Sequence, residues 1–312
     1  MELLSRVLNG DALAAARLIR GLEDGVAGCV AELEGVYLHT GHAHIVGIAG
    51  APGAGKSTLL GSLIGAFRKR SMKVGVVAVD PTSPFSGGAI LGDRIRMQSH
   101  GVDKDVFIRS LASRGWKGGL SRATINTVHV LDAMGKDIIF VEAIGSGQGE
   151  VDVAMVADTS MLVLVPGMGD EIQMMKAGIL EVADIFVINK ADREGTDNLN
   201  MALETMLGIR NRRTDDWKPK IVLTEAISDK GTEQLADEIM EHKAFLCSSG
   251  QMAVRRRERA KLELTVAVES ALRNHLEQMD QCYLDQLVDD LAQRKTDPRS
   301  AALKVINLPP QG

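Results

Sequence analysis

The chain has 312 residues, a formal net charge of −5 and 45% hydrophobic residues, so it can bury a full core and carries no overall positive field for nucleic acid or an anionic membrane. The three cysteines, Cys29, Cys247 and Cys282, form no C-x-x-C pair, which excludes a disulfide framework and a sequence-evident zinc site. No apolar run approaches the roughly 18 residues of a spanning helix, and residues 1–10 lack the pattern of a signal peptide, so we expect a cytoplasmic protein with no membrane or nucleic-acid partner.

Residues 1–40 are predicted to form a helical N-terminal extension. They are rich in Ala, Leu, Arg and Glu, and Asp11 is placed as the N-cap of a helix over Ala12–Arg20. Glycines are expected to interrupt the helices at Gly10, Gly21 and Gly25.

Residues 41–248 alternate short apolar runs with helical stretches. The predicted strands are Ile45–Ala49, Val74–Val79, Asp137–Val141, Met161–Val165, Ile185–Ile188 and Ile221–Leu223. Continuous apolar runs that alternate with helices are typical of strands buried on both faces. The pattern therefore predicts an α/β core with a mainly parallel central sheet.

A P-loop follows the first predicted strand. Gly50-Ala-Pro-Gly-Ala-Gly55-Lys56-Ser57 satisfies G-x-x-x-x-G-K-[ST] and opens a predicted helix over Thr58–Arg70. In such a loop, backbone N–H groups of glycine-rich chain bind phosphate oxygens, the lysine reaches the β- and γ-phosphates, and the serine hydroxyl coordinates Mg²⁺. The residues predicted to bind nucleotide here are Gly53, Ala54, Gly55, Lys56, Ser57 and Thr58.

A second motif indicates the base. Asn189, Lys190 and Asp192 form N-K-x-D directly after the predicted strand Ile185–Ile188. A carboxylate accepts hydrogen bonds from guanine N1–H and from its exocyclic amine, whereas adenine offers no donor at either position. ATP would leave that carboxylate unsatisfied at a cost of about 1–3 kcal/mol, so GTP is favoured.

Three carboxylates follow strands around the P-loop. Asp80 and Glu142 end predicted strands and Asp93 lies in a glycine-bearing segment, positions at which P-loop proteins place acidic residues that hold Mg²⁺ or its water. Glycines after Glu142 permit a switch-like rearrangement. The segment Pro166–Lys176 is either a further mobile loop over the nucleotide or a strand-to-helix turn.

Residues 249–312 are predicted to form a helical C-terminal arm. It begins with the basic run Arg255–Arg259, which we interpret as a solvated face or a salt-bridge ladder between subunits. Apolar residues recur at helical spacing at Leu264, Val268, Leu272, Leu276 and Met279. This stripe either mediates self-association or folds back on the core.

Together these motifs resemble the MeaB/ArgK-like family, the GTPases associated with methylmalonyl-CoA mutase, within the SIMIBI class of P-loop proteins. The matching segments span roughly residues 5–280 and are Gly50–Thr58, Val79–Pro81, Ser86–Met97, Val141–Glu142, Gly145–Gln148, Pro166–Glu171 and Asn189–Asp192. The run Gly-Gly-x-Ile-Leu-Gly-Asp93 is not general to P-loop proteins, which makes this resemblance more specific than any single motif.

The resemblance implies a homodimeric chaperone that binds an adenosylcobalamin-dependent acyl-CoA mutase and uses GTP to gate cofactor loading or protection. It implies that Lys56, Ser57, Asp80, Asp93 and Glu142 surround the phosphates and Mg²⁺. Gln173 and Lys176 would then reach the nucleotide from a third switch when the partner docks, so hydrolysis is slow alone and faster in the complex.

The chain departs from the family pattern at two positions. The family usually has Val-Glu-Thr where this chain has Val141-Glu142-Ala143, and its guanine-closing Ser-Ala stands here as Glu225-Ala226. Both Glu225 and Ala226 remain predicted nucleotide-binding residues. The departures leave open a relative that serves another B12 mutase, such as one acting on isobutyryl-CoA or 2-hydroxyisobutyryl-CoA.

Two other classes compete with this interpretation. A nickel-insertion GTPase shares the SIMIBI scaffold, and His39, His42 and His44 could cluster as its metal ligands. The pattern of this segment is more typical of a connecting loop with solvated histidines. A transport-associated ATPase would require a preference for ATP, which Asp192 opposes.

Overall fold

The computed structural model describes residues 2–80, 102–112, 122–143, 153–167, 181–209 and 216–307. Within these ranges the strands are β1 (His44–Gly50), β2 (Val74–Asp80), β3 (Val106–Ala112), β4 (Ile138–Ala143), β5 (Thr159–Leu164), β6 (Ile185–Asn189) and β7 (Lys220–Thr224). The helices are α1 (Glu2–Leu8), α2 (Ala12–Glu23), α3 (Ala27–Tyr37), α4 (Lys56–Lys69), α5 (Arg122–Ala133), α6 (Thr196–Ile209), α7 (Thr232–Ser248), α8 (Gln251–Glu277), α9 (Gln281–Ala292) and α10 (Pro298–Asn307).

The seven strands form one parallel sheet in the order β3-β2-β4-β1-β5-β6-β7. Its central strands are buried throughout, as their unbroken apolar sequences predict. The predicted α/β fold with a parallel sheet is therefore confirmed. The strand β3 was not predicted, because Arg109 interrupts its apolar run and it lies at the edge of the sheet.

The N-terminal helices pack through close glycine contacts. Asp11 caps α2 by accepting hydrogen bonds from the N–H groups of Leu13 and Ala14, as predicted. The predicted helix break at Gly21 is wrong, because Gly21 lies inside α2. A Cβ atom at this position would collide with the sulfur of Cys29 on α3, so the glycine allows the two helices to approach.

A buried network of polar side chains lies at the amino ends of the strands. The Thr159 hydroxyl lies 2.8 Å from Nε2 of His44 and 2.8 Å from Nδ1 of His242. The other ring nitrogen of each histidine lies near a carboxylate, at 3.8 Å from Asp158 and 3.5 Å from Asp184. Burial lowers the pKa of both histidines to about 4, so the two rings are neutral near pH 7.

Two arginines at the start of α8 complete this network. Arg255 makes two hydrogen bonds to the Asp184 carboxylate, at 2.8 and 2.7 Å, and Arg259 donates to Asp158 at 2.9 Å. Burial opposes ionisation of Asp184, but the hydrogen bond and charge of Arg255 hold its pKa below its ordinary value. The interpretation of the basic run as a wholly solvated or intersubunit feature is therefore wrong for these two arginines, because they neutralise carboxylates within their own chain.

The chain divides into two compact units, residues 1–259 and 260–312. In the second unit, the ring of His275 on α8 contacts the carbonyl oxygen of Val305 on α10 at 3.1 Å. Leu264, Val268, Leu272 and Leu276 are exposed on α8, which ends before Met279. Among the helices of the described ranges, none is both long and apolar enough to cross a membrane.

We predict that stability falls as the pH drops from about 6.5 to about 4. The two buried histidines have folded pKa values near 4, below the ordinary value of 6.5, so the unfolded chain binds more protons in this window. The loss is on the order of 3 kcal/mol for each histidine. Urea unfolding at several pH values measures it.

His242→Gln should roughly halve this pH dependence, because it removes one of the two buried titrating rings. His39→Gln is the matched control, since the His39 ring is exposed and bonds only to the carbonyl oxygen of Gly35 among the contacts that the structure gives it. An unaltered pH dependence in His242→Gln would contradict the assignment.

Candidate nucleotide-binding site

The loop between β1 and α4 has the backbone conformation of a phosphate cradle. Gly50, Gly53 and Gly55 have φ values of 145°, 80° and 88°, in the region that favours glycine. A Cβ atom at Gly50 would collide with the carbonyl oxygen of Val163, and one at Gly55 with the side-chain amide of Asn189. The loop leads into the amino end of α4, which favours anions.

The two polar side chains that open α4 are buried beside this loop. The Lys56 ammonium group donates hydrogen bonds to the carbonyl oxygens of Gly50 and Ala51, at 2.6 and 3.1 Å. The Ser57 hydroxyl donates to Oε1 of Glu142 at 2.8 Å. Glu142 is on β4, which neighbours β1, and is only 2% exposed. A buried carboxylate and a hydroxyl at a P-loop are hard oxygen donors that fit Mg²⁺.

Asn189, at the end of β6, joins the phosphate loop to the loop after β7. Its Nδ2 donates to the carbonyl oxygen of Ala54 at 2.8 Å, while its Oδ1 accepts from the Thr224 hydroxyl and the Ala226 N–H, both at 3.2 Å. The side chain is 1% exposed, so all three bonds are shielded from water. The predicted phosphate-binding and base-reading segments therefore meet at one side chain.

The rest of the N-K-x-D motif lies in the turn directly after β6. Lys190 has a φ of 58°, and its ammonium group donates to the carbonyl oxygen of Gly53 at 2.8 Å. Asp192 is exposed in the turn beyond, whereas the cost expected for ATP applies to a carboxylate that is buried.

The loop after β7 is braced by Glu225. Its carboxylate accepts hydrogen bonds from the Lys230 ammonium group at 3.0 Å and from the Ser228 hydroxyl at 2.9 Å. The hydrogen bond from Lys230, followed by that from Ser228, lowers the pKa of Glu225 below its ordinary value. Glu225 thus points to its own loop, and its neighbour Ala226 makes the contact with Asn189.

A cleft of about 430 Å³ opens beside these residues, between α4 and the loop after β7. Thr58 and Ala226, both predicted to bind nucleotide, line it together with Ser62 and Ile227. Sequence reasoning missed Thr224 and Ser62, whose hydroxyls bond to Asn189 and to the carbonyl oxygen of Ala226. Only the position of Thr224 at a strand end, directly before Glu225, could have indicated its role.

Four predicted site residues have side chains outside the described part of the chain. The backbone of Asp80 lies at the end of β2, beside β4, but its side chain is not described. Asp93, Gln173 and Lys176 lie outside the described residues altogether.

The histidines before β1 do not form a metal site. His44 begins β1 and is buried, so its interpretation as a solvated loop residue is wrong, and its ring bonds to Thr159. The His39 ring contacts the carbonyl oxygen of Gly35. Over the described ranges, no three His, Cys, Asp or Glu side chains come together in a way that could hold a metal ion.

A parallel sheet with a P-loop after β1, and with N-K-x-D after β6 bonded to that loop, defines a P-loop GTPase. The sequence profile described as methylmalonyl-CoA mutase-associated GTPase MeaB matches residues 21–281, and the chain belongs to this family.

Individual relatives support this family assignment. A protein of Pyrococcus abyssi named as a GTPase is 48% identical over 306 residues, covering 96% of this chain and 94% of its own length. The GTPase ArgK of Escherichia coli is 34% identical over 262 residues, covering 82% of this chain and 79% of its own. A solved structure titled LAO/AO transport system kinase superposes with a TM-score of 0.72 at 26% identity, covering 97% and 95% of the two chains.

We predict that Gly55→Ala destabilises the fold by about 1–3 kcal/mol and abolishes nucleotide binding, because it combines a positive φ with a collision against Asn189. Gly28→Ala is the matched control, since nothing lies within 4 Å of a Cβ atom there and α3 would gain a better helix former. Thermal unfolding and GDP titration of both variants measure the effects. Equal stability of the two variants would contradict the prediction.

Proposed function

We propose that this GTPase is a chaperone of an adenosylcobalamin-dependent acyl-CoA mutase, and that GTP hydrolysis gates cofactor loading or protects the mutase. The partner is methylmalonyl-CoA mutase or a relative that acts on isobutyryl-CoA or 2-hydroxyisobutyryl-CoA. One observation carries the proposal. In a chain of the mutase-associated family, Asn189 joins the phosphate loop to the loop after β7. A nucleotide that moves this one side chain would therefore affect both loops.

The phosphate end of the site is assigned to Lys56 and to the loop residues Gly53–Thr58. The Lys56 ammonium group would exchange its bonds to the carbonyl oxygens of Gly50 and Ala51 for β- and γ-phosphate oxygens. Ser57 and Glu142, with Asp80 and Asp93, would hold Mg²⁺, which neutralises phosphate charge during transfer. Gln173 and Lys176 are proposed to approach the nucleotide when the mutase docks.

The base end is assigned to Asn189, Lys190 and Asp192, with Glu225 and Ala226 closing it. The Lys190 stem lies along the loop at Gly53, and the Asp192 carboxylate would accept two hydrogen bonds from guanine.

The C-terminal segment is assigned to assembly. Residues 1–40 form a helical extension, 41–248 the GTPase core and 249–312 an arm. The exposed leucines and valine of α8 support self-association through the arm, since an apolar stripe on a helix needs a partner surface. We propose a cytoplasmic homodimer.

We predict that Asp192→Asn weakens GTP binding by about ten- to a hundredfold and permits XTP binding. The carboxamide places a donor opposite the guanine amine, whereas the 2-oxo group of xanthine accepts a hydrogen bond from it. Competition titration with GTP, XTP and ATP measures the change. Asp197→Asn on α6 is the control, because it carries the same charge change outside the motif. Unchanged selectivity in Asp192→Asn would exclude the assignment of the base.

We predict slow GTP hydrolysis by the purified protein, rising about tenfold or more with an equimolar amount of one B12-dependent acyl-CoA mutase. Phosphate release is measured with GTP and with ATP, alone and with each candidate mutase, and Lys56→Ala is the inactive control. A rate that ignores every mutase but responds to nickel would refute the chaperone function, and so would selectivity for ATP.

A further inference from the structure

A groove of about 380 Å³ lies at the amino ends of β5, β6 and β7, at the opposite end of the strands from the nucleotide site. It is lined by residues that precede these three strands and by the first turns of α8. All of them belong to the first compact unit of the chain. We call this feature the amino-end groove.

The polar groups of its floor are paired with one another. Arg255 makes two hydrogen bonds to the buried Asp184 carboxylate, and the Trp217 indole N–H donates to the carbonyl oxygen of Asp184 at 2.9 Å. The Trp217 ring is packed 4.7 Å from the ring of His242, measured between centroids. Arg255 is the one cation among the described residues of the lining, so the floor has no net charge to offer a ligand.

The walls of the groove are apolar and face solvent. Met155, Val182 and Val254 are 51%, 41% and 61% exposed, and each comes from a different segment of the chain. Single exposed apolar side chains are ordinary, whereas several around one groove indicate a surface that binds another protein.

The rim of the groove is acidic. Glu181, Asp216 and Glu258 are exposed and line it. Because Asp184 already neutralises Arg255, these three carboxylates give the groove a negative potential. The complementary ligand is an apolar surface that also carries cations.

Helix α10 of this protein has that chemistry. Among the described helices only α4 and α10 contain no acidic residue, and the large apolar side chains of α4 are buried in the core. On α10, by contrast, Leu303 and Ile306 are 51% and 53% exposed. Arg299 shares their helix face at i, i+4 and i+7 spacing, and Lys304 is exposed next to Leu303.

Helix α8 indicates which copy supplies α10. It is 27 residues long and so extends about 40 Å. Val254 in the groove lies near its beginning, whereas His275, which contacts the carbonyl oxygen of Val305 on α10, lies near its end. When two copies of α8 run antiparallel, the beginning of one lies beside the end of the other. A two-fold pair formed through the exposed apolar residues of α8 would therefore make the same contact twice.

We propose that the amino-end groove docks α10 of a second copy of this chain. The exposed apolar side chains of α10 pack against the apolar walls, and its cations lie beside the acidic rim. This inference rests on the proposed homodimer and adds to it the surface that the partner copy occupies. It does not depend on which mutase is served.

The test reverses the charge of one side at a time. The rim variant is Glu181→Lys with Glu258→Lys, and the helix variant is Arg299→Glu with Lys304→Glu. Each brings like charges together in its own homodimer, so each is expected to raise the dimer Kd about tenfold or more in 0.05 M KCl and less in 0.5 M KCl.

Mixing the two variants is the decisive measurement. In a dimer of one rim variant and one helix variant, both groove-to-helix contacts again pair opposite charges. The mixture is expected to dimerise with a Kd within about threefold of wild type, because both ion-paired contacts are restored. Sedimentation velocity of each variant alone and of the equimolar mixture measures the Kd values, and thermal unfolding verifies that each variant is folded.

Two further variants serve as controls. Glu34→Lys with Glu204→Lys makes the same change of charge at exposed positions outside the groove, and should dimerise as wild type does. Leu303→Ala should weaken the dimer at both salt concentrations, because the apolar part of the contact is not screened by salt.

The outcomes separate this inference from the proposed homodimer. A wild-type dimer whose Kd is unchanged in both reversed variants overturns the groove as the docking surface and leaves the homodimer standing. Weakened dimers that mixing does not restore overturn the second copy as the occupant. A wild type that stays monomeric at every concentration overturns both this inference and the homodimer.

Discussion

The carboxamide of Asn189 is the interaction on which the site depends. It is buried, donates to the phosphate loop, and accepts from Thr224 at the end of β7 and from Ala226 in the loop that follows. Ala54 and Asn189 are 135 residues apart in the sequence, and Ala226 lies a further 37 residues along the chain. Because a buried amide left without partners costs about 1–3 kcal/mol, the fold retains these bonds together. The phosphate loop and the loop after β7 are consequently held together by one side chain rather than being two independent loops.

A second polar network fixes the opposite ends of the same strands. Asp158 accepts the N–H of Ile45 at the start of β1, and Asp184 accepts the N–H of Ser160 in β5. Arg255 and Arg259 neutralise these carboxylates from the beginning of α8. The strands that end in the nucleotide site are thus held at their other ends by the helix that begins the C-terminal segment. Burial of this much charge is tolerated because nearly every group in it is paired.

Local patterns in the sequence predict most of this fold and its site. Uninterrupted apolar runs reveal six of the seven strands, and five of these are interior strands that need such runs because both of their faces are buried. The P-loop and N-K-x-D are visible because phosphate and guanine recognition require particular residues at fixed spacing. The edge strand β3 was missed because Arg109 breaks its pattern, while its hydrogen bonds to β2 are a property of the assembled sheet.

What sequence could not predict depends on partners that are distant along the chain. His44 looks like a loop histidine until β5 brings Thr159 to it, and the arginines of α8 look solvated until Asp158 and Asp184 are in place. Likewise, Gly21 looks like a helix breaker, because the close approach of α3 is not encoded in the residues of α2. Glu225 was assigned to the nucleotide from its position in a motif, and its bonds to Ser228 and Lys230 became visible only in the folded loop.

The contact between Gly55 and Asn189 has a consequence for how relatives of this protein can diverge. The amide of Asn189 occupies the space that a side chain at position 55 would need, so position 55 cannot change alone, and the hydrogen bonds of Asn189 restrict position 189 separately. A larger residue at 55 would require a smaller one at 189, which would also release Ala54, Thr224 and Ala226. Evolution of a new base preference in this scaffold is therefore expected to proceed through residues outside this pair, such as Asp192 and the loop after β7, while the glycine and the asparagine are inherited as a unit.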